Sequence, residues 1–194
     1  MSYGHRLNLE EIFFELAESK FAEATAVQGM VSHRDPETAA NASFQGYPTE
    51  RGLAAVSIAI VAWATSLEAF ANLVWNEHLA PTIPAGIVRK MAIKNLSTAE
   101  KLKELFGFFS FDLGSATWWS SILKLFEVRN RLIHFKEVKT YQGHSFADPA
   151  RRMLTENEVR TMRAGAIACI EELGCLSVAR TDFTRGDYTF EEIY

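Results

Sequence analysis

The stretch Leu53–Ala64, with the sequence LAAVSIAIVAWA, is almost wholly apolar and decides the fold of this 194-residue chain. A helix with apolar residues on every side must be covered by neighbours all round, so the stretch predicts a central core helix. The helical pattern runs from Glu50 to about Leu79, and the Ala80-Pro81 pair is expected to end it. The apolar run holds 12 residues, whereas a membrane span needs about 20. We therefore expect a soluble protein with no membrane contact.

Composition and charge fit one globular domain in the cytoplasm. The chain is 48% hydrophobic and 23% charged, which allows a sizeable core and argues against disorder. Its net charge of −4 does not favour a general nucleic-acid-binding surface, so any such site must be local. Cys169 and Cys175 lie six residues apart with no histidine nearby, which indicates two buried, reduced thiols rather than a metal site. No motif for a cofactor occurs, and we expect none.

Three capping boxes mark the starts of further helices. They pair Asn8 with Glu11, Ser97 with Glu100, and Thr155 with Glu158. Ser115 is the expected cap of another helix. The expected helices are 9–27, 50–79, 84–94, 98–109, 116–136 and 156–176, with loops at 28–47 and 138–153 and a tail at 180–194. Because no segment alternates as a strand does, we expect an all-α bundle of five to six helices in a single domain, 1–194.

The segment 116–136, ATWWSSILKLFEVRNRLIHFK, predicts an amphipathic helix with an arginine inside its apolar face. Residues placed about 100° apart bring six apolar side chains onto one face: Trp118, Ile122, Leu125, Phe126, Leu132 and Ile133. Arg129 falls near the middle of this face, and Asn130 and His134 lie together at its edge. Unpaired burial of Arg129 would cost on the order of several kcal/mol, so it needs a carboxylate or a wet cleft. The obvious carboxylate is Glu68.

The opposite side of this helix carries charged residues together with Val128 and Phe135. Apolar residues on a polar side indicate a second partner for the helix. We therefore expect a two-fold homodimer in which two copies of the helix face each other.

The hexapeptide 129–134, RNRLIH, resembles the R-N-x-x-x-H signature of HEPN domains, which those domains carry late in a long helix. The segment 66–72, SLEAFAN, is similar to a family segment with a Glu, an aromatic residue and an Asn on an earlier core helix. The segment 101–107, KLKELFG, also resembles the family. The resemblance covers about 54–178, and implies a HEPN-like core on which the N-terminal helix packs.

This resemblance implies a metal-independent endoribonuclease that acts as a dimer and leaves 2′,3′-cyclic phosphate and 5′-hydroxyl ends. His134 would move the proton of a ribose 2′-hydroxyl or protonate the leaving oxygen, because histidine titrates near neutrality. Arg129 would grip the phosphate and stabilise the transition state. Asn130 would orient the imidazole or bind a phosphate oxygen.

Local charge is compatible with an RNA substrate. Seven basic and three acidic residues give 124–152 a net charge of +4, and the rest of the chain carries −8. The candidate RNA contacts are Lys124, Arg131, Lys136, Lys139, Tyr141 and His144. A basic patch beside the motif suits phosphate binding, but a solvated basic loop has the same composition.

Three interpretations of function remain open from the sequence. The first is an RNA-cleaving effector of a toxin–antitoxin or phage-defence system, restrained by a nucleotidyltransferase-like antitoxin. The second is a non-catalytic HEPN-like dimeric scaffold or regulatory module that binds a partner protein or a nucleotide. In that case the pair of Arg129 and Glu68 only fixes helix register. The third is a helical regulator with no tie to the family.

Overall fold

The computed structural model describes residues 8–34, 50–83, 96–133 and 155–185, and all regular structure within these ranges is helical. It contains α1 (Leu9–Arg34), α2 (Glu50–Val74), α3 (Thr98–Phe108), α4 (Trp119–Ile133) and α5 (Glu156–Ser177). A π turn (Trp75–Leu79) and a 3-10 turn (Ala80–Thr82) continue α2, and two further 3-10 turns lie at Leu113–Ser115 and Asp182–Arg185. The prediction of an all-α bundle without a sheet is confirmed for the described ranges.

Helix α2 is the centre of the bundle, as its sequence predicts. It packs along most of its length against α1, and also against α3, α4 and α5. Its largest side chains, Trp63, Leu67 and Phe70, are fully buried. Because neighbours lie on several sides, the apolar residues all round α2 are covered.

The apolar helical stretch Arg51–Thr82 has 32 residues, enough by length and composition to cross a membrane. The expectation that the apolar stretch is too short for a span is therefore wrong, because it counted only the run Leu53–Ala64, whereas the apolar character extends further along the predicted helix. Of its most apolar 18 residues, 56% are buried inside the fold. That burial is typical of the core helix of a soluble protein, which passes the same test of length and composition.

Glu18 of α1 ties three helices together. Its carboxylate accepts a hydrogen bond from the indole Nε1 of Trp63 on α2 at 3.0 Å. It also accepts bonds from Nε and Nη2 of Arg163 on α5, at 2.8 and 2.7 Å. Nearby, the Ser66 hydroxyl donates to the backbone carbonyl of Glu10 at 2.6 Å. These polar contacts fix the register of α1 on α2, where apolar packing alone allows sliding.

Two of the three predicted capping boxes are complete. Ser97 and Thr155 each accept the backbone N–H three residues on, and their own N–H groups donate to Glu100 and Glu158. The third pair makes a different contact, a hydrogen bond between two side chains in which Asn8 Nδ2 donates to Glu11 Oε2 at 3.1 Å. All three helices nevertheless begin where the sequence predicts.

Other boundaries depart from the prediction. Helix α1 continues beyond position 27 to Arg34, because one glycine inside a helix costs only about 1 kcal/mol and does not end it. Helix α4 begins at Trp119 instead of 116, and Ser115 is not its cap. The Ser115 hydroxyl donates to the Asp112 carbonyl within the preceding 3-10 turn. The predicted helix 84–94, the loop 138–153 and the end of the tail lie outside the described residues.

The 3-10 turn Asp182–Arg185 returns the chain to the core. Phe183 is 2% exposed, with its ring edge-on to Phe14 at 5.7 Å and to Phe70 at 6.0 Å. A β-carbon at Gly174 would lie 2.0 Å from Thr181 Cγ2, so the close approach of this segment to α5 requires glycine there.

The two cysteines occupy different environments, and the expectation of two buried thiols is wrong for one of them. Cys169 is fully buried in α5, and burial raises the pKa of its thiol far above the ordinary range. Cys175 lies in the same helix but is exposed. Six residues correspond to about 600° of helical rotation, which places the two side chains on different sides of α5.

Candidate functional site

Arg129 and Glu68 meet where α4 crosses α2. Arg129 Nη2 lies 4.0 Å from Glu68 Oε2, at the outer limit of an ion pair. The two side chains are 29% and 39% exposed, so the pair lies at the edge of the core and not inside it. The long arginine side chain carries its guanidinium out to this edge. The sequence therefore identifies the partners, but the expected burial of the pair is wrong.

Asn130 holds the other side of the guanidinium. Its Oδ1 accepts a hydrogen bond from Arg129 Nη1 at 3.0 Å, and the residue is exposed. The amide thus orients the arginine, a role that the sequence did not suggest. His134, the fourth residue after Asn130, lies outside the described residues, so its predicted place beside Asn130 stays a prediction.

The face that α4 buries differs from the predicted one. Ile122, Leu125 and Val128 are its buried residues, and Val128 is only 2% exposed. Its expected role at an interface between copies is therefore wrong. The reason is that α4 packs against α5 as well as α2, and comes so close that a β-carbon on Gly165 would lie 2.7 Å from Ser121 Cβ. Because of this second contact, with α5, the buried side of α4 includes Val128.

As a consequence, two large apolar residues of α4 face outwards on either side of Asn130. Leu123 is 43% exposed and Ile133 is 46% exposed. Residues 123, 130 and 133 follow helical spacing, so they lie on one side of α4. Phe135, the other residue expected at an interface, lies outside the described residues.

The basic residues of α4 are already partnered. Lys124 Nζ lies 3.7 Å from Glu127, and Arg131 forms an ion pair with the same carboxylate. All three side chains are at least 36% exposed, so these surface pairs exchange readily with solvent or with another anion. The other candidate RNA contacts, Lys136, Lys139, Tyr141 and His144, lie outside the described residues.

The least buried strip of α2 runs directly to the Arg129–Glu68 pair. Positions 58, 61, 65, 68 and 72 recur at helical spacing and are exposed or half-buried. The first part of the strip forms an apolar groove between α1 and α4, lined by Phe13, Leu16, Ser57, Ile58, Val61, Ala62, Thr65 and Leu132. The second part is polar and consists of Glu68 and Asn72. The site therefore combines an apolar groove with a charged end.

A second cation reaches the polar end of this strip from α3. Lys101 is 9% exposed, and its Nζ donates to Asn72 Oδ1 at 2.9 Å. The sequence pattern alone gives this lysine no role at the site. Its position in the helix nevertheless indicates burial, because Lys101 falls in phase with Leu102, Leu105 and Phe106 on the buried face of a capped helix.

Comparisons with known proteins add no assignment to this site. No protein-family model matches the chain, and no curated protein or solved structure matches it significantly. Within the described ranges, no group of three or more His, Cys, Asp or Glu residues could hold a metal ion. The case for a function therefore rests on the residues and their geometry.

We expect Glu68→Ala to lower the free energy of unfolding by about 1 kcal/mol or less, because a partly exposed pair at 4.0 Å contributes little. Glu18→Ala is the matched control, since it removes a carboxylate that satisfies the fully buried Trp63 indole N–H. That loss should cost about 1–3 kcal/mol. Urea denaturation measures both, and equal losses would contradict the assignment of Glu68 to the edge of the core.

Proposed function

We propose that this chain is a metal-independent endoribonuclease of the HEPN type, acting in the cytoplasm as the effector of a toxin–antitoxin or phage-defence system. The observation that carries the proposal is the placement of Arg129. Its guanidinium is held by Glu68 and Asn130 at the edge of the core, yet remains partly exposed. A fixed, accessible guanidinium suits the recognition of a phosphate, because its planar fork matches the phosphate oxygens.

The proposed reaction uses the ribose 2′-hydroxyl of the substrate as the nucleophile. His134 takes the 2′-hydroxyl proton while the 2′-oxygen attacks the adjacent phosphorus. The bond from phosphorus to the 5′-oxygen of the next nucleotide breaks, and a second, protonated histidine gives that oxygen a proton. The products are a 2′,3′-cyclic phosphate and a 5′-hydroxyl. Arg129 stabilises the negative charge that builds up on the phosphoryl oxygens.

The second histidine comes from a second copy of the chain, so the proposal includes a homodimer. Its support is the outer side of α4, where Leu123 and Ile133 are exposed on either side of Asn130. Contact between two such faces would bury apolar surface and bring two arginine sites close together. An antitoxin of the nucleotidyltransferase-like class would then restrain the assembled enzyme.

The alternative proposal is a non-catalytic dimeric scaffold or regulatory module that binds a partner protein or a nucleotide. One observation favours this alternative. The two partners of Arg129, Glu68 and Asn130, belong to the same chain, and a purely structural arginine requires such internal partners. The two proposals differ in whether RNA is cleaved.

We expect the wild-type protein to cleave RNA in the presence of a chelator, and a 2′-deoxy substitution at the cleaved position to block the reaction. His134→Ala should lower the rate at least about 100-fold, the scale for loss of a general acid or base. Gel analysis of end-labelled RNA measures the rates. His33→Ala, which changes a histidine that the mechanism does not use, should retain wild-type activity.

Two outcomes of the cleavage assay contradict the proposal. Equal cleavage by wild type and His134→Ala would identify a contaminating nuclease. Absence of cleavage by either protein across several RNAs, without growth arrest on induction, would favour the scaffold.

We expect the wild-type chain to sediment as a dimer at micromolar concentration. Leu123→Glu places a charge on the exposed apolar side of α4 and should give a monomer, because burying an unpaired carboxylate is unfavourable. Ser120→Glu, at another exposed position of α4, is the matched control and should remain dimeric. A monomeric wild type in sedimentation velocity would refute the dimer and the shared site.

A further inference from the structure

The apolar groove between α1 and α4 has a volume of about 420 Å³ and contains large apolar side chains that remain exposed. Leu16 and Ile58, which line it, are 39% and 43% exposed. Ile12 lies one helical turn before Leu16 and is exposed as well. Exposed apolar side chains that share one concave surface mark a site for binding another molecule, whereas single exposed residues do not.

The groove runs along α2, with α1 on one side and α4 on the other. Most of its lining residues belong to α2, where Ile58, Val61 and Thr65 recur at helical spacing. All of the lining residues are uncharged. A groove between helices with an apolar lining suits an amphipathic helix, which contacts it through apolar residues three and four positions apart.

Towards the start of α2, the groove ends at a cluster of three charged side chains with one positive charge in excess. Glu23 of α1 accepts hydrogen bonds from Lys20 at 2.8 Å and from Arg51 of α2 at 2.9 Å. Glu23 follows Leu16 by two helical turns, on the groove side of α1. Arg51 precedes Ile58 by the same distance on α2. Because Arg51 shares its carboxylate with Lys20 and is 74% exposed, it is accessible to a second carboxylate.

The other end of the groove reaches the pair of Arg129 and Glu68. Glu68 follows the lining residue Thr65 by three positions on α2. Arg129 precedes the lining residue Leu132 by three positions on α4. The guanidinium of Arg129 is partly exposed and lies 4.0 Å from Glu68, so this loose pair exchanges readily with another carboxylate. An uncharged groove therefore presents an arginine at each end.

We propose that the groove binds an amphipathic α-helix of a partner protein, with its apolar face in the groove and an acidic residue at each end. Acidic ends complement Arg51 and Arg129, and positions 51 and 68 of α2 lie about 25 Å apart, the length of a helix of about 17 residues. The acidic residue at Arg129 takes the place proposed for the RNA phosphate, since the guanidinium binds both anions. The partner helix therefore blocks the site. This blocking rests on the proposed function, whereas the docking rests on the groove and its charged ends.

The test measures binding of a fluorescent synthetic helix to the full chain by fluorescence anisotropy. The peptide has roughly 18 residues, with leucines along one face and one glutamate near each end. We expect Ile58→Glu to weaken binding at least about ten-fold, because an unpaired carboxylate is unfavourable in an apolar groove. Leu16→Glu changes the α1 side of the groove and gives an independent variant. Phe108→Glu is the matched control, since Phe108 is similarly exposed but lies on α3 outside the groove. It should bind the peptide as the wild type does.

A second peptide with glutamine in place of both glutamates tests the charged ends. We expect Arg51→Gln to weaken binding of the glutamate peptide about three- to ten-fold and to leave binding of the glutamine peptide unchanged, because the pair that it removes includes the glutamate. The glutamate peptide should also displace a fluorescent RNA oligomer with 2′-O-methyl groups, which cannot be cleaved. The glutamine peptide should displace this RNA less effectively.

The inference is overturned if Ile58→Glu and Leu16→Glu bind the glutamate peptide as Phe108→Glu does, or if the wild type binds both peptides equally. It is also overturned if the wild type binds neither peptide and Ile58→Glu converts a dimer into a monomer, because a second copy then occupies the groove. Failure of the proposed function gives a different result. In that case peptide binding still depends on Ile58 and Arg51, but the chain neither binds nor cleaves RNA.

Discussion

The structure depends on the need to cover a helix that is apolar on nearly every side. Helix α2 meets this need by packing against four other helices, and its largest side chains are fully buried. Such coverage fixes where α1, α3, α4 and α5 can lie, since each must occupy one side of α2. Polar anchors then set the register, above all the Glu18 carboxylate that binds Trp63 of α2 and Arg163 of α5.

The side of α2 that its neighbours cover least becomes the candidate site. An apolar groove occupies its first part, and Glu68 and Asn72 form its last two turns. Arg129 from α4 and Lys101 from α3 reach this polar end from different helices. The core therefore positions two cations beside a short polar strip of α2.

Much of this architecture is predictable from the sequence because it follows from local chemistry. The all-round apolar pattern of α2 predicts its central place, and the Ser97 and Thr155 capping boxes predict two helix starts. Glu68, a carboxylate within an apolar helix, is predictable as the partner of Arg129, because each side chain needs an opposite charge. These inferences need no knowledge of how the helices are arranged.

The errors arise where packing of one helix on another decides the outcome. Val128 is buried because α4 contacts α5 as well as α2, and a helical wheel contains no information about the second contact. Cys175 is exposed because α5 buries only part of its circumference. The hydrogen bond between Lys101 and Asn72 joins residues 29 apart in the chain. Without the position of α3 on α2, Lys101 cannot be distinguished from an ordinary surface lysine.

The function proposed for this chain requires that Arg129, at the polar end of the α2 strip, contacts a phosphate of RNA. The most direct test is an NMR titration of the full chain with the uncleavable 2′-O-methyl RNA, following the side-chain N–H signals. The account predicts shifts of the Asn130 amide and of Arg129 Nε–H, while the Trp63 indole, bound to Glu18, stays in place. RNA binding without shifts at Asn130 and Arg129 would contradict the account.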